Sequence, residues 1–430
     1  MSNLANKDFA AATIAVQTGL NTDKNHQSVV APIYMASNYK FEDLNNRPAY
    51  EYSRSGNPTR DLLANALTEL EYGVGSVVTS SGMAAINLVL NLLSKDDVIV
   101  APQDCYGGTY RLFDSFAQRG VFKLVWLDYY ADDIEQQIQK IKPSIVWIET
   151  PSNPLLRITD IKKLSATAKS VGARTVVDNT FLSPIGQTPL KLGADIVVHS
   201  STKYLNGHSD VVSGAVICAS ADDHEQLAWW ANNTGVTGSP FDSYLILRGI
   251  RTLPLRIKQH SKNAQSIAEV LDAHELVKHV NFPGLPSHPD HELANRQQNY
   301  NAGMLSFELN GDIDTVNSFI KNLQLFTLAE SLGGTESLVC HPSTMTHAAM
   351  DEEAQLTAGI TTQLVRFSVG IEDKADLVAD VIQALSVANI EKNTPNAAGR
   401  SAKAGLKKVL DDDSVDSAAC RLSPALAALW

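Results

Sequence analysis

The stretch RTVVDNTFLSPIGQTPLKLGADIVVHSSTK, residues 174–203, holds two short apolar runs that each end in polar groups. RTVVD closes on Asp178, and DIVVH closes on His199 with Ser200, Ser201, Thr202 and Lys203 directly after it. Continuous Val and Ile without alternation suits strands covered on both faces, as in a parallel sheet. An open parallel sheet binds ligands beyond the carboxyl ends of its strands. Two neighbouring strand ends therefore offer one pocket a carboxylate and a lysine. Neither charge is buried cheaply without a partner.

Outward from this stretch the pattern repeats. SVVTS (76–80), DVIVA (97–101), SIVWIE (144–149) and GAVICA (214–219) alternate with helical patterns such as GMAAINLVLNLL (82–93). This predicts an α/β fold, with a large, mostly parallel-sheet domain over residues 61–260. Residues 1–60 carry turn signals at Pro32, Pro48 and SGNP (55–58) and read as an N-terminal arm reaching a neighbouring subunit. After a helical connector at 260–274, MLSFEL (304–309), DTVNSFIKNLQ (314–324), LVRFSVG (364–370) and KADLVADVIQALSVA (374–388) predict a smaller C-terminal α+β domain over 261–390. Residues 391–430 turn to small residues, a short basic run and then DDD. They read as a mobile tail with one short helix near Leu406–Leu410.

Composition excludes several classes of function. The 430 residues are 44% hydrophobic, enough for one large core and a smaller one, and carry a net charge of -12. Such an acidic chain has no basic stripe for nucleic acid or an anionic membrane. No apolar run reaches the ~18 residues of a spanning helix and no basic leader opens the chain, so the expectation is a cytoplasmic protein. The four cysteines form no CxxC pair and no HExxH appears, so no metal site is expected.

The strand ends point to one kind of ligand. SVVTS runs into Ser81-Gly82-Met83 and then a helix, a start whose N–H groups suit a phosphate. No GxGxxG and no GxxxxGK[ST] occurs, which argues against a dinucleotide or a nucleoside triphosphate. A carboxylate, an imine-forming lysine and an anion cradle together suit pyridoxal 5'-phosphate (PLP).

Seven motifs carry a family resemblance: YSRSGNPT (52–59), SSGMAA (80–85), DCYGGTYRLF (104–113), ETPSNP (149–154), VVDNTF (176–181), HSSTKYLNGHSDVVSG (199–214) and RFSVGIED (366–373). In this order the chain resembles the Cys/Met-metabolism family of PLP enzymes, of the PLP-dependent transferase fold type I. AWWANNTGVTG (228–238), FDSYLILRGIRTL (241–253) and FTLAESLGGTESLVCHPSTMTH (326–347) most resemble its bacterial γ-synthases. The resemblance implies that Lys203 forms the imine with PLP and shuttles protons, while Asp178 holds the pyridine N–H. It implies that Gly82, Met83, Ser200 and Thr202 bind the phosphate, with Tyr52 and Arg54 reaching it from the adjacent subunit. Tyr106 is implied to stack on the ring, Asn153 to sit near the phenolic oxygen, and Arg366 to clamp the substrate α-carboxylate.

The implied reaction is γ-replacement of an O-acylhomoserine by cysteine in a homo-oligomer, a tetramer built from dimers. Arg111 and Asn232 are candidates for the distal carboxylate of a succinyl group, Glu51 and Glu330 for the side where cysteine enters, and Ser331 for substrate binding. Where family members often carry a second arginine after YSR this chain has Ser55, which leaves the acyl group open. Lyases acting on cystathionine or methionine, and sulfhydrylases using sulfide, are the alternatives within the family.

Each residue also has a plainer reading. Lys203 alone would be a snorkelling surface lysine, Asp178 a helix cap, and Ser81-Gly82 an ordinary turn. Arg366 could pair with Glu372 or Asp373. His208 reads as a hydrogen-bonded structural residue and Cys105 as packing, since a neutral thiol lacks an activating base there.

Overall fold

In the computed structural model, which describes residues 9–393 apart from 349 and 351, the apolar runs form a seven-stranded sheet. Its strands are β1 (Gly75–Thr79), β2 (Val98–Pro102), β3 (Lys123–Leu127), β4 (Ile145–Glu149), β5 (Arg174–Asp178), β6 (Ile196–His199) and β7 (Gly214–Cys218). Their spatial order is β1-β7-β6-β5-β4-β2-β3. The β3-β2-β4-β5-β6 block is parallel throughout. β7 alone runs antiparallel to both of its neighbours, β1 and β6. Every residue of β4 and β7 is buried, which is why these runs show no alternation.

The two faces of this sheet build separate cores. On one, Trp147 packs edge-on against Phe113 with centroids 5.2 Å apart. On the other, Val146, Ile148 and Val177 face Ile138, Ile161 and Leu164. The helix expected over 82–93 runs Gly82–Leu90, with Asn91 as its C-cap. The arm is less irregular than its sequence suggests. It contains the helix Ala11–Gln17, and the helix Pro58–Glu71 begins inside it, capped by Asn57 accepting from the N–H of Thr59 at 2.9 Å.

A second sheet has five strands: β8 (Val277–Asn281), β9 (Met304–Leu309), β10 (Thr327–Leu328), β11 (Leu338–Cys340) and β12 (Leu364–Ser368), ordered β10-β11-β12-β9-β8. Its core is aliphatic with a phenylalanine cluster at its centre, in which Phe326 stacks on Phe367 at 4.2 Å. One helix, Leu253–Asp272, runs unbroken across residue 260 and packs on both regions. The last described helix continues to Asn393, and the tail with its expected helix near Leu406–Leu410 lies outside the described residues. No helix among the described residues is long and apolar enough to cross a membrane.

Candidate active site

One cavity opens where the first sheet's strands end. Ser81, Gly82 and Met83 follow β1, Tyr106 follows β2, Glu149 ends β4, Asp178 ends β5, and Ser200, Thr202 and Lys203 follow β6; all of them line it. The second sheet adds Arg366 from β12, and the segment after β10 adds Glu330 and Ser331. Asn153 completes the wall.

At the β1 end, Ser81 is in extended conformation and its Oγ accepts from the N–H of Ala84 at 3.0 Å, which caps the helix Gly82–Leu90. A Cβ on Gly82 would stand 2.7 Å from the Cβ of Ser200, so this approach admits bare backbone only. The turn is therefore a close-packed cradle rather than a spare connection. Thr202 is fixed across it by the carbonyl of Ser213, which accepts from its Oγ1 at 3.1 Å.

At the β5 end, Asp178 caps no helix. Its Oδ1 accepts the N–H of Thr180 at 3.0 Å, and burial pushes its carboxyl pKa up against that bond and the nearby His199. Glu149 is its register partner on β4, and its Oε2 accepts the N–H of Tyr106 at 2.8 Å. Burial raises the Glu149 carboxyl well above its usual range, and the neighbouring Asp178 adds to this. Burial of two adjacent carboxyls thus favours a cation or a proton beside them. Sequence reasoning gave Glu149 no role, although it ends SIVWIE as Asp178 ends RTVVD.

Lys203 is no surface lysine. Its Nζ donates to Ser331 Oγ at 2.8 Å, and its pKa is lowered to about 8, first by burial and then by the charge of Arg366. Arg366, 3% exposed, donates from Nη1 to Asn153 Oδ1 at 2.9 Å and from Nη2 to the carbonyl of Ser331 at 3.1 Å. Its buried Nε has no partner. Both acids that the plainer reading offered it are engaged elsewhere, since Glu372 accepts from the N–H of Ser337 at 2.7 Å and Asp373 from that of Ala375 at 2.8 Å. Ser331 joins lysine to arginine with φ at +95°, a backbone state few non-glycine residues adopt.

The remaining candidates stand apart from this cavity. Glu51, Tyr52 and Arg54 line a separate open hollow together with Asn232. There Glu51 pairs with Arg47, and the Arg54 guanidinium sits 5.8 Å from the Tyr52 ring centre. Arg111 is exposed on the helix Gly107–Gln118, one turn beyond Tyr106, and lines neither hollow. His208 bonds the carbonyl of Asn206 at 2.8 Å, and Cys105 is buried with its thiol pushed well up, so both fit their plain readings.

The family model described as Cys/Met metabolism PLP-dependent enzyme matches residues 12–386. The chain is 54% identical over 379 residues to cystathionine gamma-synthase of Escherichia coli (strain K12), covering 88% of this chain and 98% of that protein. It is 47% identical to cystathionine beta-lyase of Lactococcus lactis subsp. cremoris (strain MG1363), over 87% of this chain and 98% of that one. The crystal structure of cystathionine gamma synthase from Xanthomonas oryzae pv. oryzae in complex with cystathionine superposes with a TM-score of 0.88 at 53% identity, covering 89% of this chain and all of that one.

The chain belongs to the Cys/Met metabolism family of PLP-dependent enzymes. The residues present fit the cofactor of that family. The Gly82 cradle, closed to any side chain, suits a phosphate, and the buried Asp178 suits a protonated ring nitrogen. Lys203, its amine made less basic by its surroundings, suits attack on an aldehyde. Among the described residues no cluster of His, Cys, Asp or Glu could hold a metal ion.

Proposed function

We propose that the chain joins an O-acyl-L-homoserine, with O-succinyl-L-homoserine as first candidate, to L-cysteine and yields L-cystathionine by replacement at Cγ. The observation that carries this is the convergence of Lys203, Ser331 and Arg366 on one cavity with Glu330 at its rim, in a chain 54% identical to a gamma-synthase.

Bound PLP supplies an electron sink for negative charge developing at Cα. The chain's own residues do the rest. The Arg366 guanidinium, on the cavity wall, grips the α-carboxylate while Asn153 and Ser331 hold it in place. That grip sets Cα beside Lys203, whose amine takes and returns protons there. A pKa near 8 leaves a usable neutral fraction at neutral pH, and Ser331 Oγ aims the nitrogen. Glu330 meets the ammonium group of the incoming cysteine.

The active unit in this reading is a homodimer, and two dimers make the tetramer. The hollow of Glu51, Tyr52, Arg54 and Asn232 then completes the partner's cavity, with Tyr52 and Arg54 on the phosphate and Glu51 on the cysteine side. Asn232 so supplied would meet Arg111 at the distal carboxylate, which explains why one chain does not bring them together. The same reading divides the chain into an arm (1–60), a PLP-binding domain (61–260), a smaller domain (261–390) and a tail (391–430), and sets it in the cytoplasm.

The test is product identity. Holoenzyme given O-succinyl-L-homoserine and L-cysteine should form cystathionine and succinate, and cystathionine should disappear when cysteine is omitted. Faster release of 2-oxobutyrate or pyruvate from cystathionine would assign the chain to the lyases. Preference for sulfide over cysteine would make it a sulfhydrylase.

A further inference from the structure

Behind the strand ends lies a polar cluster that the reaction above does not use. Glu71, Asn179, Gln187 and His199 meet there, each wholly buried. His199 Nε2 lies 2.6 Å from Glu71 Oε1, and the same oxygen accepts from Asn179 Nδ2 at 2.8 Å. Gln187 Nε2 donates to Asn179 Oδ1 at 3.2 Å. Glu71 Oε2 and His199 Nδ1 have no partner. Burying such a pair costs desolvation that its attraction barely repays, and an apolar pair of similar volume is often at least as stable. Stability alone does not explain its presence.

Its position does suggest a task. Asn179 directly follows Asp178, and its N–H donates to the carbonyl of Val198 at 3.0 Å, just before His199. Val198 is the register partner of Asp178, so His199 leaves β6 from the opposite face, directly behind the carboxylate. The ionisable groups whose charges couple to Asp178 are Glu149 of β4, Cys105 after β2 and His199 of β6; the one bonded to the imidazole is Glu71. His199 favours the charged form of Asp178, against the burial that opposes it.

We propose that Glu71 and His199 are a positioning pair for Asp178: Glu71 fixes the imidazole in place behind the carboxylate, and the pair so fixed keeps Asp178 ionised and the cofactor's ring nitrogen protonated. This rests on the reading of Asp178 as the partner of that nitrogen. When the pair is lost, the proton moves from the ring nitrogen to an Asp178 oxygen, with no other bond made or broken.

The experiment uses holoenzyme reconstituted with PLP carrying 15N in the ring, followed by NMR and visible absorption over a pH series. Glu71→Gln keeps an oxygen to accept from His199 and Asn179 and removes only the charge. The expected result is a ring-nitrogen titration midpoint lowered by about one pH unit, or ~10-fold in proton occupancy at a given pH. His199→Gln should shift it in the same direction, and carries the test alone if Glu71→Gln does not fold. A folded variant with the wild-type 15N shift at every pH and only a lower melting temperature would overturn the proposal, leaving the pair a packing feature. Asp178→Asn separates the two failures. If its ring nitrogen stays protonated, the reading of Asp178 falls and the pair's role with it; if it loses the proton while the pair variants keep theirs, only the pair's role falls.

Discussion

Arg366→Lys should separate substrate capture from cofactor binding. Arg366 lines the cavity 3% exposed, pinned through Nη1 to Asn153 and through Nη2 to the Ser331 carbonyl, with a planar fork shaped for a carboxylate. Lysine keeps the charge but not the planar fork. One charge-assisted hydrogen bond to the α-carboxylate is lost, worth roughly 1.5–3 kcal/mol. At about 1.36 kcal/mol per tenfold, kcat/KM for the acylhomoserine should fall about 10- to 100-fold, chiefly through KM. Asn153 Oδ1, buried and deprived of its donor, should cost about 1–3 kcal/mol in stability, seen as a lower Tm. Initial rates of thiol consumption over a range of acylhomoserine concentrations measure the first effect, and the visible band of bound PLP monitors the cofactor. A kcat/KM close to wild type, or loss of the cofactor band in its place, would refute the assignment of Arg366 to the substrate carboxylate.

Three further outcomes follow from the same geometry. Gly82→Ala forces a methyl to within 2.7 Å of the Ser200 side chain, so PLP affinity should drop at least tenfold by equilibrium dialysis, at a stability cost of about 1–3 kcal/mol. Because only the neutral amine attacks an aldehyde and the folded Lys203 pKa is depressed from 10.5 to about 8, cofactor uptake by apoenzyme should accelerate as pH rises, with a midpoint near 8; a midpoint near 10 in stopped-flow traces would count against the buried amine. Cys105, Cys218 and Cys340 are buried with thiols pushed upward, that of Cys218 to about 12, so mass spectrometry should find them unlabelled by iodoacetamide until the protein unfolds.

Much of the sheet was legible because β4, β5 and β6 are buried on both faces, which leaves unbroken β-branched runs in the sequence. Strand direction was not. GAVICA has the same texture as its parallel neighbours, yet β7 runs against them, because direction is set by the connection and not by the residues in the strand. β3 escaped because it is an edge strand with no fully buried run, and β11 because three residues make no pattern. Asp178 and Lys203 could be found by the rule that ligands gather at strand ends, and Glu149 obeys that rule as well. The Ser331 link between Lys203 and Arg366 could not, since it spans 128 residues on one side and needs a left-handed φ on a serine. The pairing of Glu71 with His199 across another 128 residues is equally invisible before folding.

The most direct test of the account is solvent deuterium exchange at Cα of L-cystathionine or O-succinyl-L-homoserine, measured by NMR with PLP-loaded wild type and with Lys203→Ala. If Lys203 moves the Cα proton, wild type should exchange it readily and the variant should be slowed by about 10²- to 10⁴-fold, with the substrate still bound. Exchange in Lys203→Ala at the wild-type rate would contradict the central claim, that this lysine, held by Ser331 beside Arg366, is the base of the reaction.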